Sequence, residues 1–420
     1  MSEQNWSQHH TFSADNLHYP ENIAQLQEIV SQSKSVKTLG SRHSFNHIAD
    51  TTEDLISLEK LNHDVIIDRE NLTAVVNGGM TYSELGRYLH SEGYAVRNMA
   101  SLPHITIAGA CATATHGSGD QIGCLATDVS ALEIVTADGN ITTLSREHNP
   151  DTFYGCPVSL GGLGVIAKVT LDLVPTYTVH QAVYENLPLK HLYEHFDQIT
   201  SSAYSVSFFT HWKDCIDHTW LKTVTADLEN IPLEPTFFDA TLASKHLHPL
   251  ASASAETCTL QMGVPGPWHE RLPHFTADHI LKPGGELQTE YFISRNHAIE
   301  AFRAVANLQS HFKDILILSE VRTVAADNLW MSPFYNNPGV GIHFSWKYEW
   351  PAVQKVLPLI EDALAPYQPR PHWGKLFTIP AQNIQPLYEK LSAFQNLLKS
   401  YDPQGKFRNA YLDTYIFNEA

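Results

Sequence analysis

The chain has 420 residues, of which 43% are hydrophobic and 17% are charged, and its 45 Asp and Glu against 27 Lys and Arg give a formal net charge of −18. This length predicts two domains, and the acidic balance argues against general binding to nucleic acid or anionic membranes. The polar N-terminus argues against a secretory signal, and without a run of about 18 apolar residues we expect no membrane span. Five widely spaced cysteines without a CxxC pair fit a reducing compartment, so we expect a cytoplasmic protein. We also expect the protein to be a monomer.

The first 175 residues predict short helices and strands in mixed order. In chain order these are a helix over 21–33, strands Val36–Leu39 and Leu55–Leu58, a hairpin over Asp64–Asn77, a helix opened by the Thr81/Glu84 capping box, a hairpin of Val129–Ala137 and Ile141–Leu144, and a strand-rich stretch from Leu160 to Pro175. The strict strand–helix alternation of a doubly wound sheet is absent. Gly117-x-Gly119-x-x-x-Gly123 also misses the dinucleotide GxGxxG spacing by one residue.

From Tyr177 the chain becomes aromatic and strand-like, and we place a domain boundary near Pro175. We expect strands at Tyr204–Thr210 and Leu316–Thr323, an ordered connecting loop over 263–268, and helices over 297–312 and 351–365. The whole pattern indicates an α+β protein with two domains.

Two loops of the first domain consist of small and polar residues. One is Gly40–Asn46, which contains His43, and the other runs from Ser101 to Gly119. Glycine and alanine let a ligand approach the backbone closely, and Ser and Thr hydroxyls add hydrogen-bond donors. The two loops either grip an elongated anionic cofactor from two sides or are packed turns.

The second domain carries charged residues within strand-like stretches. Glu320 and Arg322 point to one face of a strand, as do His343 and Ser345 on another. Lys375 stands between an aromatic and two apolar residues, where an unpaired ammonium is costly. The Glu320/Arg322 pair either binds the hydroxyls of a polyol or forms a cross-strand ion pair.

A metal centre is not expected. His246 and His248 form an H-x-H pair, but no third ligand of suitable spacing accompanies them.

These segments, in this order, resemble the vanillyl-alcohol-oxidase-type flavoproteins, and within them the bacterial alditol (xylitol) oxidases. The likeness spans nearly the whole chain and rests on the Gly40 loop, 98–104, 115–119, 264–270, Glu320-x-Arg322-Thr323, 372–375 and 402–407. It implies an α+β fold with a two-subdomain para-cresol-methylhydroxylase-type FAD-binding domain over 1–175. It further implies a substrate domain over 176–420 built on an antiparallel sheet with flanking helices, the last ~45 residues returning to the FAD domain.

The resemblance implies FAD as the cofactor, bound covalently through its 8α-methyl carbon to His43. The implied FAD-binding residues are Gly40, Ser41, Arg42, His43, Ser44, Phe45, Asn46, Ser101, Thr106, Gly109, Ala112, Thr113, Ala114, Thr115, His116 and Ile166. Arg42 and Ala114 stand where the alditol oxidases carry glycine. If the family needs a left-handed backbone at Arg42, the loop adjusts or Arg42 is strained.

The implied reaction is oxidation of the terminal CH–OH of an alditol to an aldose, with hydride transfer to flavin and reduction of dioxygen to hydrogen peroxide. The implied polyol-binding residues are Ser101, Glu320, Arg322, Ser345 and Lys375, and the implied catalytic residues are Glu320, Arg322, His343 and Lys375. Arg322 and Lys375 would stabilise the developing alkoxide. Either His343 or Lys375 takes the hydroxyl proton.

Two other functions stay open. A sugar-1,4-lactone oxidase or dehydrogenase shares the His372-Trp373-Gly374-Lys375 segment and the Glu-x-Arg pair, but its histidine loop usually lacks the Ser-Phe-Asn that follows His43. A noncatalytic carbohydrate-binding protein with a metal at His246/His248 leaves the two small-residue loops unexplained.

Overall fold

A computed structural model of the chain describes residues 3–226, 229, 231–279 and 282–419. The strands are β1 (Asn16–His18), β2 (Val36–Leu39), β3 (Asp54–Ser57), β4 (Ile66–Asp68), β5 (Thr73–Asn77), β6 (Tyr94–Ala95), β7 (Val129–Val135), β8 (Ile141–Ser145), β9 (Val165–Asp172), β10 (Val174–Pro175), β11 (Thr178–Pro188), β12 (Ser205–Thr210), β13 (Cys215–Thr225), β14 (Thr236–Phe237), β15 (Ala240–Leu242), β16 (Gly266–Pro267), β17 (Glu286–Ser294), β18 (Leu316–Val324), β19 (Gly339–Lys347) and β20 (Arg370–Pro371). The helices are α1 (Ile23–Gln32), α2 (Tyr82–Ser91), α3 (Ile107–Ala112), α4 (Leu189–Thr200), α5 (Trp268–Arg271), α6 (Ala298–Ala306), α7 (Gln309–Phe312), α8 (Trp350–Leu364), α9 (Ala381–Ile384), α10 (Leu391–Tyr401) and α11 (Ala410–Leu412).

The N-terminal part of the chain builds two small sheets. A parallel sheet has the order β1-β3-β2, and an antiparallel sheet has the order β4-β5-β9-β7-β8. Both predicted hairpins are confirmed as the antiparallel pairs β4/β5 and β7/β8. Helix α1 packs Leu26 and Val30 into a core shared with both sheets. The predicted capping box opens α2, where Thr81 and Glu84 bond each other's backbone N–H groups.

The remaining strands form one large antiparallel sheet. Among the described residues it has ten strands, with the order β14-β15-β11-β13-β12-β18-β19-β17-β20 and β16 paired to β11. The predicted strands over 204–210 and 316–323 are confirmed as β12 and β18. Helices α6 and α8 cover one face, with Phe302 and Leu357 in the core. The other face carries the charged side chains described below.

Two sequence predictions need correction. Residues 263–268 are not only a connecting loop, because Gly266–Pro267 pairs with β11 and Trp268 begins α5. The Trp268 side chain is fully buried, and its burial stabilises α5. The polar and Pro-rich residues around it had predicted a loop instead of a helix. The helix expected over 297–312 is broken into α6 and α7 at Asn307 and Leu308.

The C-terminal segment lies against the first small sheet. Phe407 is buried in the core with Leu26 and Val30, and the Val36 N–H donates to the Lys406 carbonyl over 2.9 Å. The buried Lys37 ammonium donates to the Phe407 carbonyl over 3.2 Å. These contacts tie the two ends of the chain together, while the division into domains at residue 175 stays a prediction. Within the described ranges, no helix has the length and apolar character needed to cross a membrane.

Candidate active site

A cavity of ≈ 430 Å³ lies between the Gly40 loop and the charged face of the large sheet. This volume is within the range of small-molecule sites. Its walls come from the two small-residue loops, from strands β17, β18 and β19, and from the segment around Lys375. The cavity therefore joins the two candidate regions that the sequence singled out separately.

The Gly40 loop is fixed to the segment that carries Lys375. The Phe45 N–H donates to the Gly374 carbonyl over 2.7 Å, and the Asn46 amide donates to the carbonyls of Trp373 and Lys375, each over 2.8 Å. This is the structural use of the Ser-Phe-Asn that follows the histidine. These hydrogen bonds fix the position of the Gly40 loop relative to the segment that carries Lys375.

His43 presents a neutral, unpartnered ring nitrogen. Its Nδ1–H donates to the Ser41 carbonyl over 2.9 Å, and its ring stacks on Trp6 with centroids 5.4 Å apart. Nε2 is buried and has no hydrogen-bond partner among the described residues. Burial lowers the pKa of His43 to about 4, so the imidazole is neutral at physiological pH and keeps its nucleophilic lone pair.

Glycine is required where the two small-residue loops meet. A Cβ added to Gly40 would lie 2.4 Å from Thr106 Oγ1, and one added to Gly109 would lie 2.7 Å from the same oxygen. Both glycines line the cavity, and their missing side chains let the two loops close around the Thr106 hydroxyl. Exposed N–H groups next to small residues are what a pyrophosphate needs from a loop.

Arg42 and Ala114 both have positive φ, of 63° and 54°, so of the two alternatives given for Arg42 the strained, left-handed backbone is the one observed. The Arg42 Nε lies 2.9 Å from Glu3 Oε1, and the Arg42 carbonyl accepts the Trp6 N–H over 2.8 Å. The N-terminal segment thus holds Arg42 in a conformation that costs a side-chain-bearing residue about 1–2 kcal/mol.

Most of the residues assigned from sequence line this cavity. Ala114 and Ile166 do not: Ala114 is fully buried in the core, and the Ile166 side chain is buried on β9. The assigned residues that do line it are Gly40, Ser41, Arg42, His43, Ser44, Phe45, Asn46, Ser101, Thr106, Gly109, Ala112, Thr113, Thr115, His116, Glu320, Arg322, His343, Ser345 and Lys375.

Strand register brings the charged side chains together. His343 on β19 is opposite both Glu290 on β17 and Glu320 on β18, so the three side chains share one face. Gly341, two residues before His343, is opposite Arg322. A Cβ on Gly341 would lie 3.0 Å from Glu290 Oε1, so the missing side chain leaves room for the carboxylate.

Glu290 is the centre of this cluster and was missed in the sequence. It is 1% exposed, with Oε2 2.7 Å from Lys375 Nζ and Oε1 3.2 Å from Arg322 Nη2 and 3.1 Å from His116 Nε2. Burial alone would raise the pKa of Glu290, but Lys375, His116 and Arg322 outweigh it and hold that pKa well below its ordinary value. The carboxylate is therefore ionised and locks both cations in place.

Arg322 connects the sheet to the first domain. Its Nη1 donates to Ser101 Oγ over 3.2 Å, and its Nε lies 3.4 Å from Glu320 Oε1. Glu320 is buried, which would raise its pKa, but Arg322 and the hydrogen bond from His274 hold that pKa well below its ordinary value. His274, like Glu290, was not singled out in the sequence.

The two candidates for proton acceptance differ in their partners. His343 Nε2 is buried and unpartnered among the described residues, and burial with the nearby Lys375 charge lowers the pKa of His343 to about 3. Burial also lowers the pKa of Lys375, but Glu290 opposes this shift and accepts a hydrogen bond from its Nζ. His343 thus offers a neutral ring with an unpartnered nitrogen, whereas Lys375 is held as a donor.

Comparisons with known proteins agree with this geometry. Residues 14–145 match the FAD binding domain family, and residues 284–415 match the D-arabinono-1,4-lactone oxidase family. Solved structures of similar fold include cholesterol oxidase from B. sterolicum (TM-score 0.81, 12% identity, 99% of this chain and 96% of that chain). Another is glucooligosaccharide oxidase from Acremonium strictum, with its 6-S-cysteinyl, 8α-N1-histidyl FAD (TM-score 0.71, 14% identity, 97% and 93%). Fold and site thus define an FAD-dependent oxidoreductase.

Full-length relatives identify the family. The chain is 42% identical to alditol oxidase from Streptomyces sp. over 97% of both chains. It is 25% identical to L-gulonolactone oxidase from Mus musculus over 99% of this chain and 98% of that one. The chain therefore belongs to the alditol oxidase family.

Proposed function

We propose that this protein oxidises the terminal CH–OH of alditols of the xylitol and sorbitol class to aldoses, using FAD and dioxygen. One observation carries the proposal: a single cavity joins the unpartnered His43 Nε2 at one end to the Glu290–Arg322–Lys375 cluster at the other. A tethered redox group and an uncharged polyhydroxy substrate need these two ends. The 42% identity to alditol oxidase supports the choice of substrate.

FAD is the group that fits the first end of the cavity. When bound, it supplies hydride acceptance from the carbinol carbon and is reoxidised by dioxygen with release of hydrogen peroxide. The close approach of the two loops at Gly40 and Gly109 suits a pyrophosphate, and the neutral His43 imidazole suits an 8α-histidyl linkage. The described residues lining the cavity include no cysteine, so the proposed attachment is through histidine alone.

The charged face binds and activates the polyol. Arg322 and Lys375 direct N–H donors at the oxygen that becomes an alkoxide as the C–H bond breaks, which favours that charge in a site shielded from water. Glu320, Ser345 and Ser101 hold neighbouring hydroxyl groups. These roles use the side chains that line the cavity and leave Glu290 as the buried counter-ion.

His343 is the proposed proton acceptor. Its Nε2 has no partner, and its low pKa keeps the ring neutral, so the lone pair is available to the hydroxyl proton. Lys375 donates to Glu290 and is proposed to stay protonated through the reaction.

Oxygen uptake with xylitol, sorbitol and gulonolactone tests the substrate class. The match of residues 284–415 to the D-arabinono-1,4-lactone oxidase family favours a sugar-1,4-lactone oxidase or dehydrogenase as the second candidate. We expect rapid uptake with both alditols. Turnover of the lactone alone would establish the second candidate instead.

Intact mass under denaturing conditions tests the tether. Wild type is expected to retain one FAD, and His43→Ala to lose it on denaturation. Retention by both would assign the attachment to another residue.

The five free cysteines support a reducing, cytoplasmic location, and the monomeric state stays a prediction.

A further inference from the structure

Beside the polyol face, Lys222, His274 and Glu320 form a line of buried contacts. His274 is 4% exposed and lies in the loop that follows α5. Its Nε2 lies 2.7 Å from Glu320 Oε1, and its Nδ1 lies 3.1 Å from Lys222 Nζ. We call the pair Lys222 and His274 the relay.

The His274 ring is fixed by packing as well as by hydrogen bonds. It makes edge contacts with the rings of Phe209 and Trp220, with centroids 5.3 Å and 5.1 Å away. Its backbone N–H donates to the Ser101 carbonyl over 3.1 Å, and its carbonyl accepts the Thr259 N–H over 3.0 Å. The imidazole therefore has little freedom to turn away from Glu320.

The hydrogen-bond partners assign the protons. Lys222 Nζ contacts three acceptors, the carbonyls of Leu272 and Pro273 and the His274 Nδ1. An ammonium has three hydrogens, one for each of these acceptors. Nδ1 then accepts a hydrogen, so the proton of the neutral ring is on Nε2, where it points at the ionised Glu320. With Lys222 protonated and the ring neutral, this assignment gives every contact a donor and an acceptor.

The same contacts define what Glu320 has left to offer. Oε1 accepts from His274 and lies 3.4 Å from Arg322 Nε. No hydrogen bond to Oε2 is made by any residue that the structure describes. The relay thus occupies one carboxylate oxygen and leaves the other for a hydroxyl group in the cavity.

We propose that the relay is a positioning device: Lys222 fixes the Nε2–H tautomer of His274, and His274 orients Glu320 so that Oε2 binds a hydroxyl of the substrate. This inference rests on the proposed polyol oxidation and extends it to His274, which lines the cavity beside Glu320, and to Lys222, which does not line it. His274 and Lys222 act through Glu320 and are not themselves catalytic residues.

Three variants separate positioning from packing. His274→Phe keeps a ring but removes the donor, whereas His274→Gln can return an N–H near the Nε2 position. His180→Phe is the matched control, because His180 is a buried histidine that does not line the cavity. KM and kcat for xylitol are measured per bound flavin. Loss of a hydrogen bond to a charged group predicts a KM at least roughly tenfold higher in His274→Phe, with a smaller change in kcat. His274→Gln is expected to recover most of the loss, and His180→Phe to keep the wild-type KM.

A KM in His274→Phe within about twofold of wild type would overturn the proposal. The proposal would also be overturned if His274→Phe and His274→Gln lost activity equally and only in proportion to lost flavin. That result would mean that His274 acts through packing alone. If wild type is not reduced by any polyol, the proposed function has failed, and a second measurement then decides the relay.

That measurement is ¹⁵N NMR of the wild-type holoprotein labelled at histidine, with the signal assigned by its loss in His274→Phe. At pH 6 the ring is neutral, because burial and the Lys222 charge lower the pKa of His274 to about 4. The same pH lies below the pKa of about 7 to which burial lowers Lys222. A neutral ring protonated at Nε2 is expected. A ring protonated at Nδ1, or at both nitrogens, contradicts the proposal.

Discussion

Glu290→Gln removes the charge at the centre of the buried cluster. In wild type this carboxylate lies within 2.7–3.2 Å of Lys375, Arg322 and His116 and is 1% exposed. Removing one partner of a buried ion pair costs about 3–5 kcal/mol, because the other partner stays desolvated. We expect the free energy of unfolding in urea to fall by that amount, and FAD to stay attached if the variant is expressed at low temperature.

The same substitution is expected to slow the chemistry. Glu290 raises the pKa of Lys375 against the lowering effect of burial, so its loss lets Lys375 deprotonate at a lower pH. A neutral Lys375 stabilises the alkoxide less. If Lys375 acts as an oxyanion donor, the rate of flavin reduction should fall about 10²-fold. Anaerobic stopped-flow reduction of the flavin by xylitol measures this rate, which should recover partly as the pH is lowered and Lys375 regains its proton.

Glu361→Gln is the matched control. Glu361 is a buried carboxylate outside the cavity lining, where it accepts hydrogen bonds from the Tyr291 hydroxyl and the Thr378 N–H. It should lose stability and keep the wild-type rate of flavin reduction. If Glu290→Gln reduces its flavin as fast as wild type, or if Glu361→Gln is equally slow, the role given to Glu290 is wrong.

Three further predictions follow from the pKa of a buried histidine and from the backbone at Gly341 and Arg42. His343 has a pKa of about 3 in the fold against about 6.5 when unfolded. The unfolded chain therefore binds more protons between these values, and the urea midpoint should fall as the pH drops from 6.5 toward 4. Gly341→Ala places a methyl 3.0 Å from Glu290 Oε1 and should lower kcat/KM for xylitol about tenfold without loss of flavin, and an unchanged value would show that the strand yields. Arg42→Gly relieves the left-handed backbone but frees the unfolded chain, so stability should change by less than about 1 kcal/mol and intact mass should still show bound FAD.

Local signals in the sequence predicted helices and hairpins well. They did not predict side-chain contacts between residues that are distant in the chain. The Thr81/Glu84 capping box and the turn at Asp138-Gly139 act over four residues, and both elements form as expected. Glu290 had a weak signal, since Glu286, Gln288 and Glu290 lie on one face of β17 and alternate with Leu287, Thr289 and Tyr291. Its partners, however, come from segments 32, 85 and 174 residues away, and only the fold shows that they meet.

His274 gave no local signal at all. It lies in a loop next to Pro273, where a histidine is usually solvated, and its burial depends on the rings of Phe209 and Trp220 from two other strands. Lys222 had a weak signal, a lysine between leucine and threonine on what the structure shows to be β13. Its three acceptors come from the same distant loop, so the pairing depends on where that loop closes over the sheet.

Charge balance explains why an acidic protein buries cations here. Arg322 and Lys375 are matched by Glu290 and Glu320, which makes their removal from water tolerable. Lys222, next to the neutral His274, adds a third cation below its pKa of about 7, which burial lowers. An alditol is uncharged, and the oxygen of its reacting carbinol becomes anionic only as the C–H bond breaks. Arg322 and Lys375 therefore have no charge to attract in the ground-state substrate and one anion to stabilise in the transition state, which is the distribution that accelerates a reaction rather than merely tightening binding.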